Sequence, residues 1–169
     1  MHEPQRVEYG VPLSGLTTMR LGGPAERLVR VETTDELVDA ICEVDDADEP
    51  LLVLAGGSNL VVSDDGFAGS VVHVATSGVL VESADSEAVI IRVAAGAVWD
   101  DLVVQAVEQG WSGIEALAGI PGSVRATPLQ NVEAYGRGIS PSLLPVSSRG
   151  PRPHPVRPFP LAHPLSPHP

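Results

Sequence analysis

The stretch that most constrains this chain is LLVLAGGSNLVV, residues 51–62. Leu51–Leu54 is short, uncharged and β-favouring, which predicts a strand buried on both faces. Gly56 and Gly57 have no Cβ, so the backbone can turn sharply and present bare N–H groups to something close by. Ser58 and Asn59 add a hydroxyl and an amide within two residues. Together these groups at a strand's end form a cradle for a phosphate or diphosphate. Leu60–Val62 then reads as a further strand. The same residues would also serve as a plain turn between two strands, because short glycine motifs recur by chance.

Composition narrows the setting. A chain of 169 residues is enough for one domain or two small lobes. Only six residues are aromatic, so Val, Leu, Ile and Ala must fill the core. Every basic residue other than His is Arg, which excludes a Walker-type phosphate lysine and a Schiff-base lysine. The net charge of −12 argues against a nucleic-acid partner, which needs basic patches. Cys42 is the one cysteine, so it reads as a small helix-face residue rather than a disulfide or metal ligand. No apolar run approaches the roughly 20 residues of a membrane span. The start, MHEPQRVEYG, lacks the apolar centre of a signal peptide. These features predict a soluble, cytoplasmic protein without a membrane partner.

Taken in order, residues 1–14 read as a polar surface leader. Leu16–Pro24, LTTMRLGGP, mixes hydroxyls, Arg20 and a Gly-Gly-Pro turn; by itself it suggests a surface loop, the sharper alternative being Arg20 near an anionic ligand. Ala25–Val31 predicts a strand. Thr33 or Thr34 caps a helix, with Asp35 and Glu36 in its first turn and Leu37, Val38, Ile41 and Val44 along one face. The acidic run Asp45–Pro50 ends that helix as a solvated turn. Strand, helix, strand, Gly turn, strand is the skeleton of a nucleotide-binding lobe, although no G-x-G-x-x-G occurs to support a Rossmann fold.

Further on, Asp64–Phe67 predicts a turn, and Val71, Val72 and Val74 a strand in which His73 is a half-buried structural residue. Val79–Val81 and Val89–Val93 predict a hairpin across Ser83–Glu87. A helix follows from about Asp100 to Gln109, with Leu102, Val103, Ala106 and Val107 inward and Gly110 as a left-handed cap. Trp99 and Trp111 read as core or lobe-contact residues. The second informative stretch is Gly113–Gly136, GIEALAGIPGSVRATPLQNVEAYG. Its small residues allow a backbone to approach a flat ligand, and its amides can read a polar edge.

Leu54–Val62, Gly113–Gly136 and Thr17–Ala25 together resemble the UDP-N-acetylenolpyruvoylglucosamine reductase (UDP-N-acetylmuramate dehydrogenase) family. The match covers roughly residues 13–136. The resemblance implies an α+β fold, a two-lobed FAD-binding region of the vanillyl-alcohol-oxidase (PCMH) type. It implies a first lobe over 15–78 and a second, incomplete lobe over 79–136. Gly56, Gly57, Ser58, Asn59 and Leu60 would hold the FAD diphosphate. Gly119, Ile120, Pro121, Gly122, Ser123 and Thr127 would line the flavin with Gln130 and Asn131, and Arg20 would sit near the same cleft. NADPH would be the hydride donor and a UDP-sugar carrying an enolpyruvyl group the substrate, in a monomeric enzyme of peptidoglycan synthesis; no metal is implied.

The chain also departs from that family. Arg125 and Glu133 stand where its members carry Gly, and Arg125 is expected to crowd the flavin loop. The family's Tyr-Arg motif, proton-donating Ser and C-terminal Glu have no counterpart, nor has its substrate domain. The expectation is therefore an inactive fragment.

Residues 1–136 hold all 22 acids and six Arg, whereas 137–169 hold four Arg, no acid, ten of the sixteen Pro and three of the five His. So Pro-rich a tail cannot sustain a helix or a central strand, and polyproline-like disorder is expected. A lysine-free chain points to GC-rich coding, and GC-rich sequence read out of frame yields this mixture, so a frameshift after Gly136 is expected. The competing expectation is a non-catalytic nucleotide-binding module with a proline-rich docking tail.

Overall fold

The computed structural model describes residues 6–86, 88–144, 146–148 and 157–159. A four-stranded sheet forms the first half, in the order β1 (Arg6–Pro12), β2 (Pro24–Val31), β4 (Phe67–Val74) and β3 (Leu51–Leu54). β1 runs antiparallel to β2, while β2, β4 and β3 are parallel. Helix α1 (Thr34–Asp46) connects β2 to β3. Its start carries a reciprocal cap: Thr33 Oγ1 accepts from Glu36 N at 3.2 Å, and a Glu36 carboxylate oxygen accepts from Thr33 N at 3.1 Å. Such a box contributes about 1 kcal/mol. α1 ends on Asp48 at φ +54, with Glu49 N donating to Val44 O and Asp48 N to Asp45 O. An aspartate thus takes the left-handed cap position usually given to glycine.

Two apolar clusters sandwich the sheet. Val29, Val31 and Val72 face α1 through Ala40 and Leu37. Ala25, Leu28, Leu54 and Val71 pack on the other side with Leu13, and Leu16, Leu60 and Val62 cover them. A third cluster builds the second half. The hairpin β5 (Val79–Ala84) and β6 (Val89–Val93) packs on helix α2 (Trp99–Glu108) around Trp99, Leu102, Val103 and Leu117. α2 closes at Gly110, φ +73, with Trp111 N donating to Ala106 O and Gly110 N to Val107 O. That is the expected left-handed cap. A short helix α3 (Ala126–Leu129) and a small ribbon, β7 (Glu133–Ala134) with β8 (Arg137–Gly138), follow. No described helix is long and apolar enough to cross a membrane.

Several expectations are corrected. Residues 6–12 are not a loose leader but strand β1, and Leu13 is fully buried. β3 is an edge strand with Leu51–Val53 only partly buried, because β4 inserts between it and β2. Leu60–Val62 is no strand: residues 55–66 must return from the end of β3 to the start of its parallel neighbour β4. The segment therefore lies across the sheet face, Leu60 and Val62 turned in and Val61 out. Val107 is exposed, since the hairpin and the following loop cover only the Leu102–Ala106 side of α2. The stretch after Gly136 begins with packed residues: Ile139 is buried in the second core and Leu143 lies against it. Two three-residue strands, β9 (Val146–Ser148) and β10 (Arg157–Phe159), pair antiparallel. The remainder of the Pro-rich stretch, like residues 1–5, lies outside the described residues.

Candidate functional site

The carboxyl ends of β2, β4 and β3 lie together, since Val31 pairs with Val74 and Leu54 with His73. Ligands of parallel sheets bind outside such ends. The Gly56–Asn59 turn leaves β3 at this edge. Gly57 is left-handed, φ +58, and a Cβ on it would strike Leu16 O. Thr18 N donates to Gly57 O at 3.0 Å, which docks the Thr17–Pro24 segment on the turn. Within that segment Thr17 Oγ1 donates to Leu21 O at 2.8 Å. Arg20 is exposed, with φ +54.

The second loop arrives from the other half. A Cβ on Gly56 would lie 2.9 Å from Gly122 Cα and 3.0 Å from Ser123 N. One on Gly122, φ +128, would lie 2.6 Å from Ser58 Oγ. The two glycine loops therefore meet backbone to backbone, although more than 60 residues separate them in sequence. The first turn of α2 holds the second loop in place. Trp99 N donates to Gly122 O at 3.0 Å, Trp99 Nε1 to Leu117 O at 2.9 Å, and Gly119 N to Asp100 Oδ1 at 2.7 Å. Val124 N and Arg125 N donate to Ala97 O and Ala95 O, so residues 122–125 run beside 95–99.

The expected site residues divide accordingly. Gly56, Gly57, Ser58, Gly122 and Ser123 are brought together. Ser123 is 2 % exposed, yet its hydroxyl has no hydrogen-bond partner. A buried orphan hydroxyl costs free energy until a ligand or water satisfies it. Thr127 is buried, its hydroxyl donating to Ser123 O at 3.2 Å. Ile120 packs in the second core, while Gly119, Pro121 and Asn59 form the loop surfaces. Gln130 and Asn131 lie exposed after α3, and Asn131 Oδ1 accepts from Ser140 Oγ at 2.7 Å, which ties down the segment after β8. Arg125 precedes α3. It is exposed in the ordinary helical region, φ −64 and ψ −39, so its backbone carries no left-handed strain. Glu133 is likewise exposed, in β7.

Between the halves runs a cleft of about 520 Å³. Gly56, Arg30, His73 and Thr76 line it from the sheet side, Asp101 and Gln105 from α2. Thr76 Oγ1 accepts from Gly96 N at 3.0 Å, and a Cβ on Gly96 would lie 2.6 Å from Val74 O. Burial, reinforced by the Arg30 guanidinium, pushes the His73 imidazole below its ordinary value. His73 is half-buried as its strand position suggested, but it lines the cleft. Sequence reasoning gave no role to Arg30, Thr76 and Asp101, took His73 as structural and Asp100 only as a helix start. Strand alternation could have grouped Arg30 with Leu28 and His73 with Val71, but the parallel register that makes them neighbours could not be read locally.

A buried unpartnered hydroxyl, a glycine-lined meeting of two loops and a polar cleft at the strand ends fit a nucleotide cofactor. The model of the FAD binding domain family matches residues 25–143. The UDP-N-acetylenolpyruvoylglucosamine reductase of Thermobifida fusca is 52 % identical over 137 residues, covering 81 % of this chain and 38 % of that protein. That of Cutibacterium acnes is 55 % identical over 126 residues, 75 % of this chain and 34 % of its own length. The crystal structure of the Thermus caldophilus UDP-N-acetylenolpyruvylglucosamine reductase superposes with a TM-score of 0.62 at 32 % identity, over 81 % of this chain and 46 % of that one. The chain thus spans little more than a third of the curated relatives it matches.

Proposed function

The chain belongs to the FAD binding domain family, in the form carried by the UDP-N-acetylenolpyruvoylglucosamine reductases, and from that premise we propose that its two glycine loops hold FAD. The meeting of Gly56 with Gly122 beside the unsatisfied Ser123 hydroxyl carries this reading. Gly56, Gly57, Ser58, Asn59 and Leu60 offer N–H groups, a hydroxyl and an amide to a diphosphate. Gly119, Ile120, Pro121, Gly122 and Ser123 offer a side-chain-poor wall to a flat ring, and Thr127 supports Ser123 from beneath. By the resemblance, Gln130 and Asn131 would help line the flavin and Arg20 would sit near the same cleft. Bound FAD supplies hydride transfer; the protein's part is to bind, orient and keep water out.

At the level of the whole relatives, the proposed reaction is NADPH-dependent reduction of the enolpyruvyl double bond of a UDP-sugar during peptidoglycan synthesis, in a monomeric cytoplasmic protein. Two experiments test this. Purified chain is titrated with FAD while melting temperature and flavin absorbance are followed; saturable binding with thermal protection is expected, and a colourless, unprotected protein would refute the reading. Fusing residues 6–143 to the remaining part of the Thermobifida fusca relative is expected to give NADPH oxidation dependent on the enolpyruvyl sugar. No turnover from a fusion that holds FAD would confine the role to flavin binding.

A further inference from the structure

We propose that Arg30 and His73 form a basic seat at the floor of the cleft that takes the diphosphate of the nucleotide from the side opposite the Gly56 turn, and that filling it charges His73. This inference rests on the flavin reading above. On the sheet face that carries Ala25, Leu28, Leu54 and Val71, the apolar stripe stops at the strand ends. There Arg30 on β2 pairs in register with His73 on β4, and the next strand contributes Leu54. Both basic side chains line the cleft that Gly56 also lines. Glu32 engages Arg30 through Nε at 3.0 Å, which uses one of five N–H donors.

In a chain of net charge −12, two neighbouring basic groups facing a cleft need an explanation. Each disfavours the other's charge, and an entering diphosphate reverses that balance by favouring both. The charged groups facing His73 are Arg30 from β2 and, across the cleft, Asp101 from α2; β3 and the Thr76 loop bring none to the cleft. With burial and Arg30 holding His73 low, the imidazole is neutral in the empty cleft near neutral pH. Diphosphate binding raises its pKa, so binding takes up a proton. Affinity is then highest in mild acid and falls as pH rises through the value of the occupied state.

The probe is ADP-ribose, whose diphosphate is esterified at both ends and does not titrate between pH 6 and 8; adenosine is the control. Calorimetry on the full chain in two buffers of different ionisation heat reads the proton uptake. Wild type is expected to take up a fraction of a proton and, for a rise of about one pK unit, to bind roughly threefold tighter at pH 6 than at pH 8. His73→Gln is expected to lose both the uptake and the pH dependence. His73→Arg, basic throughout, keeps affinity and loses the pH dependence. Arg30→Gln weakens ADP-ribose roughly tenfold and leaves adenosine unchanged. Melting of the empty variants separates these effects from misfolding. ADP-ribose binding that is unaltered in both Gln variants overturns the seat. So does FAD binding with which ADP-ribose does not compete, and in that case the flavin reading stands. If neither FAD nor ADP-ribose binds, both fall.

Discussion

Gly56 and Gly119 lie on the two loops that converge at the site, yet they are glycine for unlike reasons. Gly56 is outside the left-handed region, and its missing Cβ is dictated by the neighbouring backbone of Gly122 and Ser123. Gly119 has open space around it, and its requirement is conformational, φ +77. The first loop is therefore fixed by contact across the molecule. The second shares that contact only at Gly122; at Gly119 it is fixed by local conformation and by the clamp from Asp100 and Trp99 on α2. Equal-looking glycines should fail differently when substituted.

The largest effect is expected at Gly56. A methyl there must push two backbones apart, at a cost of about 2 kcal/mol for overpacking. Gly56→Ala is expected to lower the melting temperature and weaken FAD by more than tenfold; a variant that retains FAD would remove the contact from the site. Asp100→Ala comes next. It releases the Gly119 N–H from a charged acceptor, about 1–2 kcal/mol in a denaturant series, and it should speed amide exchange at Gly119 while leaving Gly57 unchanged. Gly119→Ala costs about 1 kcal/mol of left-handed strain, so the empty protein is destabilised less than by Gly56→Ala. If it were as damaging as Gly56→Ala, the distinction between the loops would fail.

A smaller effect separates the cleft floor from both loops. His73 has its pKa lowered on folding, so the unfolded chain binds the proton more tightly than the native one. Stability is therefore full above the ordinary histidine value of about 6.5 and declines as pH falls below it toward the native value. The empty protein should lose stability on mild acidification in this window, and His73→Gln should flatten that limb of the melting profile.

Much of this was legible where the signal was local. Thr33 and Glu36 announced a capped helix, Gly110 its counterpart at the end of α2, and the alternation around Val71–Val74 a strand. Legibility stopped where distant segments decide. VEYGV gave no hint that it would add an antiparallel edge strand, because its pairing partner lies across a turn of more than ten residues. Leu60–Val62 had strand-like composition, but no strand edge was left for it to join. Ile139 and Leu143 looked like the start of a proline-rich tail, yet the second core had room for both. The GGSN and GIPGS segments were recognised as a pair by resemblance; their backbone contact follows only from the fold. Arg30 and His73 were invisible as a pair because the parallel register of β2 on β4 that makes them neighbours joins segments more than 40 residues apart in sequence.

Amide hydrogen exchange with and without FAD tests the convergence most directly. Protection is expected to rise together at Gly57, Ser58, Gly119 and Ser123 while β1 and the β5–β6 hairpin stay unchanged. Protection confined to one loop, or absent from both in protein saturated with FAD, would contradict a site built from their meeting.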